Sequence, residues 1–521
     1  MPLPETHTGV IEYPQPKSGV NLYSSIVDLT PEECITAQNC IWRNGVVKRG
    51  GSTLFETDEV STGKKITGLH RFYYGAGLKQ LLVSSGTVVK YHDGATWQNV
   101  KTGLSDGQPT YFSTWINNAY IANGTDAPHK WTGSVSSTLS AAPANTTMFL
   151  PYQDRLLSIT GGDLTWSGAF DDTTWGSVAN IGVRPDTKLY GMIIHSATNV
   201  DAVYESKVLL AGANGMYVFT ATDMRWPATT GDYTIFTLAG SVGCNAPRTM
   251  CWTPKGTIYL GIDRQVYLIP FDSLTPVPIG RKIRSSRTGV EGIEKITGNM
   301  LENACAVYHE GFYKLFFAQS GQTSNKVQFW LDVTRLHETS EGLVGPWYGP
   351  MLGQSNSCVM VQNGSGDESE CLAGEDDATV GSYVYQIGRN DIYADNGTAI
   401  QIYYQTFYNP LSEAYLRKDI HEAEFEILDV LGTVNVDFLD ITGLVKSGDL
   451  VNLSGNAEYW DDNYWGEEYW SSSLPTRVVL PITPAMQVRR LSFLIKHNTG
   501  NDKFELYAVR VKVTEQQHAF A

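Results

Sequence analysis

The 521-residue chain is short of what builds long helices, membrane spans and metal sites. Charged residues make up only 18% of it. No stretch is rich in the Ala, Leu, Glu and Lys that sustain long helices, which excludes coiled coils and helical solenoids. No run of about 18 apolar residues occurs, so no segment reads as a membrane-spanning helix and no membrane insertion is expected. The opening Met1-Pro-Leu-Pro-Glu-Thr-His-Thr-Gly9 lacks the basic and apolar regions of a secretory signal. Cysteine is sparse and odd in number, with seven residues at positions 34, 40, 244, 251, 305, 358 and 371. With no C-x-x-C spacing, these read as reduced thiols of a protein made in a reducing cytoplasm, not as a zinc ribbon or thioredoxin-like site.

Catalytic signatures are missing as well. H-E-x-x-H, G-x-S-x-G, Walker A and EF-hand patterns do not occur, and the ten histidines are scattered singly. His92-Asp93-Gly94-Ala-Thr-Trp97 has the wrong spacing for a sialidase Asp-box and stands alone, where such boxes recur across blades. A propeller glycosidase would need a defined pair of carboxylates, and none stands out among the 54 acidic residues. No enzymatic activity, cofactor or metal is therefore expected. Basic residues are scarce too: 38 Lys and Arg against 54 Asp and Glu leave a net charge of −16. A protein that grips phosphates needs a basic footprint. This balance argues against a DNA clamp, while an acidic surface still lets a duplex slide past.

What the chain does have is glycine (50), proline (22) and 11% aromatics, a composition of short strands and tight turns. From about residue 66 one phrase recurs: an apolar strand, a Gly turn, a second strand, often then an aromatic. Leu81–Tyr91, Ala119–Trp131, Arg155–Trp166, Val208–Phe219 and Gly256–Tyr267 all follow it. Gly311–Phe317 is expected to pair with Val327–Leu331, and Gly381–Gln386 comes last. The turn glycines 86, 124, 162, 215, 256 and 311 lie near the roughly 40–50-residue period of propeller blades. The reading is an all-β protein with a six- or seven-bladed β-propeller over residues 61–395; a two-sheet sandwich is the alternative for this region. After about 395, long alternating segments such as 422–428, 434–439, 489–496 and 504–513 predict a C-terminal antiparallel β-sandwich over 396–521. Residues 1–60 read as an arm that enters the propeller, with a short helix over 31–39 capped by Thr30 and Glu33. A second short helical connection is expected within 281–306.

Three local features are candidate sites. Asp367, Glu368, Glu370, Glu375, Asp376 and Asp377 form an acidic Gly/Ser-rich stretch that reads as a solvated loop before it reads as a calcium site. Arg281, Lys282, Arg284 and Arg287 form the one basic cluster, which could touch phosphate but is expected to face an acidic neighbouring subunit. Tyr459, Trp460, Tyr464, Trp465, Tyr469 and Trp470 recur at five-residue spacing among acids. That segment could serve as a subunit interface, as a plug over the sandwich or as a sugar-stacking loop.

Gly19–Asn39 followed by Gly45-Val-Val-Lys-Arg-Gly-Gly51 resembles the opening of a family of propeller-bearing bacteriophage virion proteins. Val242-Gly-Cys-Asn-Ala-Pro-Arg248, Tyr383-Val-Tyr-Gln386, Asp395–Ile402 and Arg417-Lys418 are similar to further phrases of those proteins. The usual proline after Lys48-Arg49 is absent. The family includes the tail nozzle, or tail hub, proteins of short-tailed phages. The resemblance implies a structural virion protein assembled in the host cytoplasm. It further implies a homo-oligomeric, hexameric ring that contacts other tail and adaptor proteins and through which double-stranded DNA transiently passes. A receptor- or carbohydrate-binding virion module is the alternative.

Overall fold

The computed structural model describes residues 8–75, 77–180, 188–195, 207–221, 233–340, 342–362, 369–412, 416–428, 434–450, 476–497 and 503–515. Helix within them is limited to short 3₁₀ turns, three of which fall between Arg281 and Asn303, where a short helical connection was expected. Everything else that is regular is strand.

Seven four-stranded antiparallel units follow one another. Five occupy residues 66–102, 111–138, 148–180, 189–237 and 251–278. The sixth runs from Cys305–His309 to Trp347–Leu352. The seventh takes three strands from residues 358–389 and its outer strand from Gly51–Leu54. The first strands of successive units contact one another in order, and the first strand of the seventh returns to Ile66–Tyr74 of the first. The ring is closed, and the protein contains a seven-bladed β-propeller, whose radial repetition leaves only short, protected sheet edges.

Period-two alternation builds the joints between blades. On Leu78–Ser85, Leu82 packs toward blade two with Phe72, Ile121 and Trp131, whereas Leu81 and Val83 pack toward blade seven with Cys358, Leu372 and Val384. On Lys207–Gly212, Val208 and Leu210 meet Leu157, Ile159 and Trp166 of blade three, while Leu209 and Ala211 meet Tyr259 and Ile269 of blade five. One strand with apolar residues on both faces therefore holds two neighbours. Turn geometry agrees with the hairpin reading: Gly311, at φ +84°, links Cys305–His309 to Phe312–Phe317.

The sandwich is not confined to the C-terminal residues. One sheet contains Lys418–Leu428, Thr476–Val488 and Glu505–Glu515 and is extended by Thr8–Glu12, Cys40–Trp42 and Val46–Lys48 from the arm. The facing sheet places Glu33–Gln38 beside Ile402–Thr406, followed by Ser492–His497, Val434–Asp440 and Gly443–Leu450. Between the sheets Phe493 meets the rings of Tyr13, Phe425 and Phe438 at 5.0, 5.6 and 5.2 Å.

The arm departs from expectation in two ways. Residues 31–39 are not helical: Glu33–Gln38 is a strand. Half of the capping box forms, since Thr30 N donates to Glu33 Oε2 at 3.1 Å, but Glu33 N donates to the Thr30 backbone carbonyl (2.9 Å) and closes a turn. Pairing on both sides, with Gly19–Val20 and with Ile402–Thr406, then extends the β-branched Ile35 and Thr36 as strand. Second, the arm does not simply enter the propeller. Gly19–Val20 pairs in parallel with both Glu33–Gln38 and Trp347, so blade six and one sandwich sheet become a single ten-stranded sheet. Gly19 has φ +73°, and a Cβ there would lie 2.2 Å from Trp347 O, so only glycine lets the two backbones meet.

Candidate functional site

The residues singled out by charge and by phrase fall at joints. Arg49, from Lys48-Arg49-Gly50-Gly51, is 5% exposed, and its whole guanidinium is used. It donates to Asn39 Oδ1 (3.1 Å), Gly50 O (3.1 Å), Leu352 O (2.7 Å) and both carboxylate oxygens of Asp395 (3.0 and 2.5 Å). Arm, blade six and the segment leaving blade seven are thereby pinned at one point, with the fork geometry that suits Arg to a carboxylate.

Arg248 plays a comparable part on the propeller axis. It lies in the 3₁₀ turn Pro247–Thr249 between blades four and five. Its guanidinium donates to Thr67 O in blade one and to Ser357 O (3.1 Å) at the entrance to blade seven, and it stands 5.3 Å from the Tyr111 ring centroid in blade two. A residue between blades four and five reaches blades one, two and seven only across the centre.

The basic cluster has partners within its own chain. Lys282 Nζ donates to Ser18 O (3.0 Å) and pairs with Glu33 Oε1 (2.9 Å). Arg287 donates to Ser24 O (3.0 Å) and to Asn21 O, and Arg281 stacks 4.5 Å from the centroid of the Tyr23 ring. Arg284 is half-buried near Tyr267. These contacts are made within the chain, with Glu33 of the arm as the acid, where contact with a neighbouring subunit was expected; three of the four residues fasten residues 18–33 to the propeller side.

The acidic stretch is likewise more than a solvated loop. Glu375 and Asp376 are buried, and burial raises the pKa of both. Glu375 accepts from Ser355 Oγ and from the backbone N of Asp376 and Asp377, and its own carbonyl accepts from Ile66 N, the step from blade seven to blade one. Asp376 accepts from Asn325 N (2.9 Å) and pairs with Lys65 at 3.3 Å. Asp377 differs: hydrogen bonds from Thr379, then Lys326, hold its pKa down at about 2. Among the described residues no group of three or more His, Cys, Asp or Glu could hold a metal. Asp367 and Glu368 lie outside them.

The aromatic repeat, Tyr459, Trp460, Tyr464, Trp465, Tyr469 and Trp470, also lies outside the described residues. The strands on either side of it, Gly443–Leu450 and Thr476–Val488, are the outermost of their two sheets. Ile441, Leu444, Val445 and Val479 are exposed there. All seven cysteines are free; six are buried and Cys251 is half-buried.

No protein-family model matches the chain, and no curated protein matches it. Solved structures do. BBS1N in complex with ARL6DN is similar with a TM-score of 0.39 and 12% identity, over 66% of this chain and 98% of that one. The computationally designed Ika8 protein has a TM-score of 0.38 and 10% identity, over 71% of this chain and 100% of that one. YCF48 bound to D1 peptide has a TM-score of 0.37 and 9% identity, over 66% of this chain and 98% of that one. These likenesses concern the fold, and the propeller itself is established by its closed ring of seven sheets.

Sequence reasoning singled out the basic cluster and the phrase containing Arg49 but did not see that each has an internal partner. It missed the role of Arg248, for which the phrase Val242–Arg248 was the available signal.

Proposed function

We propose that this chain is a structural protein of a bacteriophage tail, one copy of a nozzle-like ring around the path of ejected DNA. The observation that carries this reading is the Arg49–Asp395 clamp. Two phrases that resemble the nozzle family, nearly the whole propeller apart in sequence, meet in it at the joint between propeller and sandwich. Gly19 and Arg248, from two more of those phrases, also sit at joints. The resemblance therefore follows the framework of the molecule, as a shared architecture requires.

In this reading the conduit lies between copies. Arg248 ties three blades together across the axis, which rules out the propeller's own centre as a DNA path. With its basic cluster engaged by the arm, and a net charge of −16, the chain offers phosphates little to hold. The outermost sandwich strands, with their exposed apolar residues, are the surface best suited to contact a neighbouring copy or another tail protein. Imaging of the intact particle tests the proposal. A ring of copies at the distal tail is the expected result, and a radial spike would favour a receptor-binding module instead. A DNA titration at low and moderate salt tests the passive conduit, which tight, salt-sensitive binding would overturn.

A further inference from the structure

A cavity of about 370 Å³ lies where blade six, the segment following blade seven, the arm hairpin and the last sandwich strand come together. Arg43, Lys48, Lys314 and Lys503 line it, with only Glu310 and Glu505 against them. A chain that is strongly acidic overall thus collects a positive excess in one enclosure. Both acids are engaged: Arg43 Nη2 lies 3.4 Å from Glu310 Oε2, and Lys503 Nζ lies 2.8 Å from Glu505 Oε1.

Lys314 stands apart from the other cations. It is the third residue of Phe312–Phe317, a strand in which every residue is buried, and it is only 1% exposed. Strand register sets it opposite Trp330, and its ammonium lies 4.4 Å from that ring's centroid. Among the described residues it has no hydrogen bond and no ion pair. The aromatic face attracts a cation but supplies no counter-charge. Burial accordingly lowers the pKa of Lys314 from its ordinary value. Gly388, also on the cavity wall, keeps the approach open, because a Cβ there would come 3.2 Å from Lys314 Nζ.

A second observation supports a polar site. A void of about 20 Å³, room for about one water, shares Gly50, Lys314, Trp330 and Gly388 with the cavity. It is also lined by Gln354 and Asn356, whose Gln354 Oε1 and Nε2 and Asn356 Oδ1 are buried without partners.

We propose that this cavity binds a small ligand bearing an oxyanion, a carboxylate or a phosphate, whose charged group rests against Lys314 Nζ. The volume is that of a small-molecule site. The anion supplies the counter-charge that the fold withholds from a buried ammonium, and Phe504 and Tyr507 on the wall accept an apolar portion. The site is independent of the tail-nozzle reading and stands or falls alone.

Calorimetric titration of the full chain with inorganic phosphate and, separately, with benzoate provides the test. Saturable binding of at least one probe is expected, and which one binds identifies the oxyanion. Lys314→Met keeps the side chain's volume and removes its charge, and should weaken that binding by about tenfold or more. Lys512→Met, on an exposed lysine paired with Glu422, should leave it unchanged. If Lys314→Met does not fold, wild-type protein decides: the bound probe should slow acetylation of Lys314 by acetic anhydride, followed by mass mapping. Absence of saturable binding by either probe would overturn the site. So would undiminished binding in Lys314→Met, or a Lys314 that is acetylated equally fast with and without probe.

Discussion

Replacing Arg49 with methionine isolates the clamp that joins arm, propeller and sandwich. The substitution keeps the buried stem and removes five donated hydrogen bonds, two of them to Asp395, which is 14% exposed in its side chain. Removing one partner of a buried ion pair costs about 3–5 kcal/mol, mostly because the other charge is left uncompensated. Asn39 Oδ1 and the carbonyls of Gly50 and Leu352 also lose a donor, but water entering the adjacent void offsets part of that loss, so the total stays in the same range. Asp395→Asn should cost less, since the guanidinium retains three neutral acceptors. The double variant should be less destabilised than the sum of the two, by about 0.5–3 kcal/mol, as expected for residues in direct contact. Urea unfolding followed by tryptophan fluorescence and far-UV circular dichroism measures all three. A loss below about 1 kcal/mol for Arg49→Met, where about 3–5 is expected, would refute the clamp. Strict additivity in the double variant would refute it equally.

Three further outcomes follow from the packing. His195 is 2% exposed, and burial holds its pKa down at about 4, so below its ordinary 6.5 the unfolded chain takes up a proton that the fold refuses. Stability should therefore fall as pH drops through that window, by about 2 kcal/mol at pH 5 from this group alone, and the pH 7-to-5 difference in urea midpoint should shrink in His195→Gln. Leu82→Ala, in the joint between blades one and two, should cost about 2–5 kcal/mol by the same unfolding assay, whereas Val10→Ala on the surface should cost almost nothing. Lys282→Met leaves Glu33 without its cation and should speed tryptic cleavage at Lys17 in native protein, read as the rate of appearance of the cut product.

The propeller was legible because its signals are local. Gly311-Phe-Tyr-Lys-Leu-Phe-Phe317 and Val327-Gln-Phe-Trp-Leu331 advertise a hairpin, and they pair with Leu315 opposite Phe329. The closing strand was not legible, since Gly51-Ser-Thr-Leu54 has no alternation to read and becomes strand by pairing with the remote Val384–Arg389 and Ala394–Asp395. The Thr30–Glu33 pattern misled for a related reason, because the bond from Thr30 N to the Glu33 carboxylate serves a turn as well as a helix and remote pairing decides between them. The basic cluster was visible as charge, but its partner was not: nothing in Arg281–Arg287 announces Glu33 or Tyr23. A lone lysine inside an apolar strand was the available sign of the cavity at Lys314. The tryptophan repeat at 460, 465 and 470 lies outside the described residues.

The strand that closes the seventh blade has a consequence for the order in which the molecule can come into being. Gly51–Leu54 leaves the ribosome roughly 330 residues before Val384–Arg389, a delay of roughly 15–70 seconds at ordinary elongation rates. Thr8–Glu12 waits longer still for Arg510–Thr514. Through most of synthesis the nascent chain therefore holds an open fan of blades with a free edge and no sandwich. Completion is a late event: a chain halted before Val384–Arg389 has closed neither unit, and one halted before Glu505–Glu515 has all its blades but an unfinished sandwich.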